Sequence, residues 1–360
     1  MTGKNSILLS ALDWGLGHAT RIIPVIRYLE ALDYDILIAG YGNSFILLKQ
    51  EFPKAHFIEL NGFTPKFSKT LPQWVRLIAQ VPQFLKAIRK EHNDLKLIVS
   101  LYNPCYIISD NRYGLWHPKI TSILITHQTN IELPKTLNVF SPLIHRIMQK
   151  WINKFDECWI PDCHLALSGK LSNSKGFIRH EKKIGLLSRF NQDDNQSSEF
   201  KRVPILVLAS GPEPQKSVFI KTITRQLKQL GKKATVVCGN PLENESLNDN
   251  QITYISHLNA REMEQVICNA DTIICRSGYS TIMDLIRLQK KALLVPTPRQ
   301  TEQLYLGSHL QERGFYKSVL QSKINLKDDL TEINLFSPPA NSTNDFFPFN
   351  DFKLPKTKIY

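Results

Sequence analysis

Hydrophobic positions along the chain follow two alternating patterns. Short runs rich in Leu, Ile and Val, such as Ile7 to Ala11 and Asp35 to Ala39, are separated by segments whose apolar residues recur every three or four positions, as from Ile22 to Leu29. The first pattern is typical of buried strands and the second of amphipathic helices. Their alternation predicts βαβ units built around a parallel sheet.

The same alternation begins a second time near residue 203. Ile205 to Ala209 is apolar at every position, which is typical of a strand covered on both faces. At 360 residues the chain is also longer than a typical domain of about 150 residues. The pattern predicts an N-terminal Rossmann-like domain at 1–167, a polar linker at 168–202, a second Rossmann-like domain at 203–325 and an irregular tail at 326–360.

Composition narrows the class of protein. Hydrophobic residues make up 42% and charged residues 21% of the chain, which are ordinary values for a globular protein. The first apolar run stops at Asp13, too early for a signal peptide, and no run reaches the roughly 20 apolar residues that cross a bilayer. The sequence therefore predicts a cytoplasmic protein and leaves open a peripheral position at the inner membrane face.

The net charge of +13 favours an anionic partner. Nucleic acid is not expected, because no recognised binding motif or stacking platform accompanies the basic residues. The stretch from Lys66 to Lys96 mixes basic and apolar residues, which suits either an anionic membrane surface or a core-packed helix with a solvated basic face. Both interpretations stay open.

Neither a metal nor another cofactor is expected. Cys158, Cys163 and His164 lie near one another in the sequence, but the second pair of ligands that a zinc site usually has is missing. Asp193 and Asp194 lie in the polar linker and form no recognisable metal motif.

Polar residues after the first predicted strand supply one set of candidates, namely Asp13, Gly15, Gly17 and His18. Glycines let the backbone approach a ligand, and the N-terminus of the following helix attracts an anion. Open parallel sheets bind ligands at the carboxyl ends of their strands. His18 is therefore a candidate acid–base residue, since imidazole titrates near neutral pH. A plain βα turn is the alternative.

Two further predicted strands end in polar groups. Asp110 follows the strand Cys105 to Ile108 and is either a functional carboxylate or a turn cap. Ser210 and Gly211 follow a strand in the second half, where their N–H groups could donate to phosphate oxygens. This loop is not a P-loop, because no second glycine precedes Lys216.

The segment from Asp271 to Gly314 has the most specific pattern. It contains, in order, Arg276, Ser277 and Gly278 at a strand end, Asp284 on the next helix, and Glu302 and Gln303 after a Val-Pro segment. In this order it resembles the nucleotide-sugar half of the MurG-like group of GT-B glycosyltransferases, which has a glycosyltransferase family 28 C-terminal domain. The glycine loop before His18 resembles the N-terminal loop of the same group.

The resemblance implies a GT-B fold, in which two Rossmann-like domains present parallel sheets to a central cleft. It also implies roles for individual residues. Asp284 would bind the ribose hydroxyls, and the backbone around His257 and Leu258 would bind the base. The diphosphate would lie beside Ser210, Gly211, Ser277 and Gly278. Glu302 and Gln303 would contact the sugar, and the loop of Gly15, Gly17 and His18 would face the reacting centre. Arg276 either offsets the diphosphate charge or forms a salt bridge within its own domain.

The function predicted from this resemblance is a metal-independent transfer of an N-acetylhexosamine or hexose from a nucleotide-diphosphate donor, with a UDP-sugar favoured. The acceptor is expected to be a lipid-linked molecule or a glycan, and the transfer is expected to invert the anomeric centre. His18, Asp110 and Asp13 are the candidates for the general base. His18 is favoured, either as the base or as the group that positions it, and Asp110 comes second.

Two other functions stay open. The glycine loop also resembles the GxGH loop of the nucleotide-sugar hydrolases of pseudaminic acid synthesis, in which the histidine would activate water. A non-catalytic nucleotide-sugar-binding protein would keep the donor site alone.

Overall fold

The computed structural model describes residues 5–65, 73–133, 139, 141–174, 176–190, 202–241, 246–348 and 351–358, with the backbone alone at 73–78. The chain forms two compact units. Unit 1 consists of Met1–Trp14, His18–Leu187 and Ser342–Tyr360, and unit 2 of Gly15–Gly17 and Ser188–Asn341.

Unit 1 is built on a seven-stranded sheet with strand order β3-β2-β1-β4-β5-β6-β7, and each pair of neighbours is parallel. Its strands are β1 (Ser6–Ala11), β2 (Asp35–Gly40), β3 (His56–Glu59), β4 (Tyr106–Asp110), β5 (Thr121–Ile125), β6 (Glu157–Ile160) and β7 (Glu181–Lys183). Its helices are α1 (Leu16–Ala31), α2 (Gly42–Glu51), α3 (Gln73–Tyr102) and α4 (Ser141–Ile152). The central strands are the most apolar, and Leu8 and Ile107 are fully buried in the core between sheet and helices.

Unit 2 is built on a second seven-stranded sheet with a similar order. Its sheet runs β10-β11-β9-β8-β12-β13-β14, and every pair is parallel except the antiparallel pair β10 and β11. The strands are β8 (Val203–Leu208), β9 (Ala234–Val237), β10 (Ser246–Asp249), β11 (Ile252–Ile255), β12 (Ala270–Cys275), β13 (Ala292–Leu294) and β14 (Lys317–Ser318). The helices are α5 (Gln215–Gln229), α6 (Ala260–Cys268), α7 (Tyr279–Arg287), α8 (Thr301–Glu312) and α9 (Leu326–Glu332).

Both sheets reverse their strand order at one place, between β1 and β4 in unit 1 and between β8 and β12 in unit 2. At such a reversal the loops after the two central strands lead away to opposite sides and leave a crevice for a ligand. Each unit therefore has a ligand-binding edge of the Rossmann kind, and the polar loops predicted from the sequence follow these central strands.

The observed division of the chain differs from the predicted one at the linker and the tail. The segment 168–187 belongs to unit 1 and contains β7, while 191–201 lies outside the described residues. The segment 326–360, predicted to be irregular, begins with α9 and then returns to unit 1 from Ser342 onward. A parallel bridge joins Leu186 to Phe346. Polar composition suggested a linker here because β7 is an edge strand that lies mostly open to solvent.

None of the helices in the described part of the chain is long and apolar enough to cross a membrane. The helix predicted from about 72 to 101 is α3, which contains Pro82.

Candidate functional site

The strand reversal of unit 1 brings His18 and Asp110 together. β1 and β4 are neighbours, with Ala11 opposite Asp110, and His18 lies in the first turn of the helix that follows β1. His18 Nδ1 is 2.8 Å from Asp110 Oδ1. The same nitrogen is also 2.9 Å from Arg21 Nη2, so it lies between a carboxylate that accepts and a guanidinium that donates. The pair thus has the arrangement of a histidine base held by a carboxylate.

Arg21 fixes the carboxylate of this pair. It lies one helical turn after His18, is 2% exposed, and donates from Nε to Asp110 Oδ2 and from Nη2 to Asp110 Oδ1. Nη1 of the same guanidinium lies 2.7 Å from His127 Nδ1, which therefore accepts the bond. Burial raises the pKa of Asp110, but the charges and hydrogen bonds of Arg21 and His18 outweigh it and lower the pKa to about 2. Asp110 is therefore a fixed anion at neutral pH.

Arg21 lies close to the glycine loop in the sequence, but it was not predicted to be a site residue. His127 was missed altogether. An arginine on the buried face of an otherwise apolar helix was the available signal, because a guanidinium is almost never fully buried unless it is paired. His127 gave no signal, since its position two residues after β5 matters only once the sheet is assembled.

Asp13, the remaining candidate base, has a structural contact. Its Oδ1 accepts a hydrogen bond of 2.8 Å from the backbone N–H of Ser44, in the first turn of α2. A Cβ on Gly42 would lie 1.9 Å from Asp13 Oδ2, and Gly42 has a φ of +67°. The loop after β1 is therefore fitted to the start of α2, and Asp13 caps that helix. A catalytic role of Asp13 stays a prediction.

Gly15 and Gly17 precede His18 in the loop after β1. Gly15 has a φ of +140°, in which L-residues with a side chain are strained, and a Cβ there would meet no atom within 4 Å. Gly17 lies in the first turn of α1. Glycine at 15 is thus required by the turn rather than by crowding.

Arg112, two residues after Asp110, stiffens the loop at the end of β4. It is 1% exposed and contacts Glu91 on α3 at 3.1 Å. It also donates to Ser10 Oγ at 3.0 Å and to the carbonyl oxygen of Leu60 at 3.1 Å. A buried ion pair with these additional bonds holds β1, β4 and α3 in register behind the His18–Asp110 pair.

At the strand reversal of unit 2, Arg276 joins the two central loops. Its guanidinium is fully buried and donates to the carbonyl oxygens of Gln215 at 2.8 Å and Val295 at 3.2 Å. It also lies over the Phe219 ring, 4.2 Å from the centroid. Burial lowers the pKa of Arg276 to about 10. In this arrangement Arg276 shapes the loops, and the predicted contact with a diphosphate stays a prediction.

Space for an anion lies beside Gly211 and Gly278. Gly211 follows the exposed Ser210 and has a φ of +100°, and a Cβ there would come no closer than 3.9 Å to Thr297 Oγ1. Gly278 caps α7, and a Cβ there would stay 4.0 Å from its nearest neighbours. Within the described part of the chain, the buried Thr297 Oγ1 has no hydrogen-bond partner. A hydroxyl and the N–H groups of a helix start are thus available to phosphate oxygens.

Thr297 was not among the predicted site residues. Its signal was its place directly after the Val-Pro segment, at the carboxyl end of β13. The backbone N–H of Thr297 donates to Gln303 Oε1 at 2.8 Å, and Ser277 Oγ donates to the Gln303 carbonyl oxygen at 2.8 Å. Ser277 and Gln303 are both buried and organise this loop, whereas Glu302 lies in the first turn of α8 and is half-buried.

Asp284, the predicted ribose ligand, lies on α7 and is held within unit 2. Its Oδ1 accepts from Ser188 Oγ at 2.7 Å, and its Oδ2 is 3.5 Å from Arg189 Nε. Burial raises the pKa of Asp284, with Arg189 and Ser188 acting against the rise. The two residues predicted to flank the base follow β11, where His257 is partly exposed and Leu258 is buried. The contact of this backbone with the base of the donor stays a prediction.

Comparisons with known proteins bear on this arrangement. Residues 211–352 match the family model described as glycosyltransferase family 28 C-terminal domain. This segment of the chain therefore resembles that domain. The predicted resemblance to this family is thereby confirmed over residues 211–352, and the solved structures described next confirm the predicted GT-B fold class.

Solved structures of the same fold align along nearly the whole chain. The glycotransferase of kitacinnamycin has a TM-score of 0.63 at 13% identity, covering 92% of this chain and 91% of its own. SnogD from Streptomyces nogalater has a TM-score of 0.58 at 12% identity, covering 92% and 91%. The spinosyn rhamnosyltransferase SpnG, in complex with thymidine diphosphate, has a TM-score of 0.57 at 12% identity, covering 91% and 90%. Among curated protein sequences, none matches this chain significantly.

Proposed function

We propose that this protein is a glycosyltransferase that transfers an N-acetylhexosamine or hexose from a UDP-sugar to a hydroxyl of a lipid-linked or glycan acceptor, with inversion and without a metal ion. The observation that supports this proposal most strongly is the His18–Asp110 pair, anchored by Arg21 at the strand reversal of unit 1. In the proposed mechanism the proton of the neutral ring is on Nδ1, where Asp110 accepts it, and Nε2 is the nitrogen that takes a proton.

The chemistry assigned to the pair is a single displacement. His18 Nε2 takes the proton of the acceptor hydroxyl as the acceptor oxygen forms its bond to the anomeric carbon. The bond from that carbon to the diphosphate oxygen breaks at the same time, and its electron pair leaves with the nucleotide diphosphate. Attack from the side opposite the leaving group inverts the centre. Asp110 stabilises the imidazolium that forms, as a carboxylate next to a catalytic histidine does.

Charge on the departing diphosphate would be met by protein groups in unit 2. The N–H groups at the start of α7, behind Gly278, carry the positive end of the helix dipole. Thr297 Oγ1 offers a further donor. Preorganised donors of this kind replace the Lewis acid that a metal would supply, because they need no reorganisation as charge develops. The proposed metal independence rests on this set of donors.

A lipid-linked acceptor is supported by the surface of α4. Leu143 and Ile147 on this helix are 60% and 41% exposed, and Arg146 and Lys150 lie on the same helix. Exposed apolar and basic side chains on one amphipathic helix favour an anionic bilayer surface. The basic stretch from Lys66 to Lys96 was the surface indicated by the sequence, but 66–72 and the side chains of 73–78 lie outside the described residues.

The proposal is tested by incubating the full chain with UDP-, dTDP- and GDP-sugars, with and without membrane lipid extract. Release of nucleotide diphosphate that depends on the extract is the expected result, and His18→Ala should abolish it. The matched control is His56→Ala on the edge strand β3, which should keep full turnover. Cleavage in water alone would instead establish a nucleotide-sugar hydrolase. Donor binding without turnover would establish a binding protein.

A further inference from the structure

Three metal-ligating side chains from distant parts of the sequence meet in unit 1. Cys163 and His164 follow β6, and Asp345 closes the short 3₁₀ turn Thr343–Asp345 in the C-terminal segment. Ligand atoms of the three side chains lie within 4.8 Å of one another. His164 Nδ1 is 2.7 Å from Asp345 Oδ1. The sequence indicated Cys158 beside Cys163 and His164, but Cys158 lies within β6 and is not part of this group. The return of the tail adds Asp345 as the third ligand.

The carboxylate of this group is oriented by its own loop. Asp345 Oδ2 accepts from the backbone N–H of Ser342 at 2.8 Å and from Ser342 Oγ at 2.9 Å. Oδ2 is therefore occupied, and Oδ1 is the oxygen turned to His164. Outer hydrogen bonds of this kind fix the ligands of metal sites and raise metal affinity.

The loop that carries Cys163 is similarly organised. Asp162 Oδ1 accepts from the backbone N–H groups of Cys163 at 2.9 Å and Leu167 at 3.1 Å. Cys163 and Asp345 are buried, whereas the His164 side chain is 73% exposed. Two ligands are thus rigidly placed, and the third lies at the surface, where an ion can enter.

We propose that Cys163, His164 and Asp345 bind a zinc ion that anchors the C-terminal segment to unit 1. A thiolate, an imidazole and a carboxylate together suit Zn²⁺ rather than Mg²⁺ or Ca²⁺, which prefer oxygen ligands. The Cys163 thiol proton passes to solvent as the sulfur–zinc bond forms, and water takes the fourth position. Zn–N and Zn–O bonds of about 2 Å at a tetrahedral angle separate the nitrogen from the oxygen by roughly 3.3 Å, which is more than the 2.7 Å between His164 Nδ1 and Asp345 Oδ1. His164 therefore moves outward slightly, which its exposure permits.

The zinc would act on unit 1 alone and is independent of the proposed glycosyl transfer. It adds a cross-link beside the bridge between Leu186 and Phe346. An ion that binds only the folded protein stabilises it by mass action. Unit 1 should therefore resist heat better with zinc than without it.

The test uses the full chain, freed of metal with a chelator and then titrated with Zn²⁺ in competition with a chromophoric chelator. One equivalent should bind, and Co²⁺ in its place should give the thiolate-to-cobalt charge-transfer absorption of a tetrahedral site. His164→Ala, at an exposed position that leaves the fold intact, should weaken zinc binding at least tenfold and remove the thermal stabilisation by zinc. Cys163→Ser should remove the charge-transfer band.

Two controls make the outcome decisive. Cys268→Ser replaces an exposed cysteine in unit 2 and should leave zinc binding unchanged. Mg²⁺ should give no stabilisation. The proposal is overturned if the metal-free chain binds no zinc, or if His164→Ala and Cys163→Ser bind it as tightly as the unaltered chain. Either result would reduce the three residues to a hydrogen-bonded cluster that holds the tail.

Discussion

At the scale of single residues, Arg21 binds the carboxylate of Asp110, and Asp110 in turn binds the imidazole of His18. Asp110 is fully buried, and an isolated carboxylate in such a place would be strongly penalised. Arg21 compensates for the burial with two hydrogen bonds, and the resulting anion lies 2.8 Å from His18 Nδ1 and orients the ring. The candidate base is thus His18 alone, but its orientation depends on Asp110 and on Arg21.

Replacing Asp110 by Asn should expose this dependence. Asn keeps the shape of the side chain but removes the charge, so it cannot stabilise the imidazolium that forms when His18 takes a proton. We expect the turnover number to fall by about 10² to 10⁴ with little change in donor affinity. Steady-state kinetics with the best donor measure this. Asp271→Asn is the control, since Asp271 pairs with Arg202 on the surface of unit 2. It should leave the turnover number unchanged.

Arg21→Lys should change the pH dependence of the reaction. Arg21 is among the groups that hold the pKa of Asp110 at about 2, against the effect of burial. Lysine keeps a charge but cannot form the two parallel bonds, so the pKa of Asp110 should rise. Activity in the variant should therefore be lost at a higher pH as the solution is acidified. A pH–rate profile with an unchanged acid limb would show that Arg21 does not control this carboxylate.

At the scale of elements, the loop after β1 serves two helices. His18 begins the functional face of α1, while Asp13 caps α2 through Ser44 N–H. Loss of such a cap typically costs about 1 kcal/mol. Asp13→Ala should therefore lower the stability of the protein by about that amount while leaving turnover nearly intact. A fall in turnover as large as that of His18→Ala would instead restore Asp13 as a candidate base.

Gly42→Ala tests the same junction sterically. A Cβ at this position would lie 1.9 Å from Asp13 Oδ2, and the φ of +67° is strained for alanine. The carboxylate of Asp13 must move away and lose its hydrogen bond to the Ser44 N–H. The backbone strain at residue 42 and the loss of this helix cap both lower the stability. We expect destabilisation of about 2 to 3 kcal/mol, measured by denaturant unfolding. Gly176→Ala is a control for positive φ alone, since its φ is +77° and its Cβ would meet no atom within 4 Å.

The central elements were predictable from sequence because burial on both faces leaves a continuous apolar signature. β8 is such a strand, and its loop with Ser210 and Gly211 was correctly placed at a strand end. The strands β7 and β14, with three and two residues, carry no such signature, because edge strands are short and one side stays in water. The pairing of His18 with Asp110 required the strand order, which periodicity does not encode.

Buried polar partners were the hardest to predict for a related reason. Ser188 contacts Asp284 across 96 positions of the sequence. A serine in a polar segment has the composition of a linker, and only the folded unit shows that its hydroxyl is used. The resemblance supplied the donor-side residues, but it could not show that Arg276 and Gln303 are bonded to loop backbone.

At the scale of the whole molecule, the C-terminal segment is a structural part of unit 1. Phe352 packs edge-on against Trp159 at 4.8 Å and Tyr28 at 5.8 Å between ring centroids. Tyr28 also donates from its hydroxyl to the Phe352 carbonyl oxygen at 2.6 Å, and Tyr106 donates to that of Pro355 at 2.7 Å. Three aromatic side chains of unit 1 thus form the surface on which the segment lies.

Phe352→Ala should therefore destabilise unit 1 rather than unit 2. Truncating a buried phenylalanine typically costs about 3 to 5 kcal/mol, because the cavity is only partly refilled. Since Phe352 is 7% exposed and packs against the rings of Trp159, Tyr28 and Phe347, we expect a loss in this range. Hydrogen exchange resolved by peptide should show faster exchange in β1, β4 and β6, which lie beneath the segment's partners, with β8 and β12 unchanged.

Phe177→Ala provides the matched control for this experiment. Phe177 also belongs to unit 1 but is 61% exposed, so its removal should change exchange and stability by less than about 0.5 kcal/mol. If Phe352→Ala lowered the stability as little as Phe177→Ala, the segment from Ser342 would contribute little to the stability of unit 1. If Phe352→Ala is as destabilising as expected, the stability of unit 1 depends on the segment from Ser342, which follows unit 2 in the sequence. Its sheet and its candidate base would then be fully stabilised only when unit 2 has been synthesised.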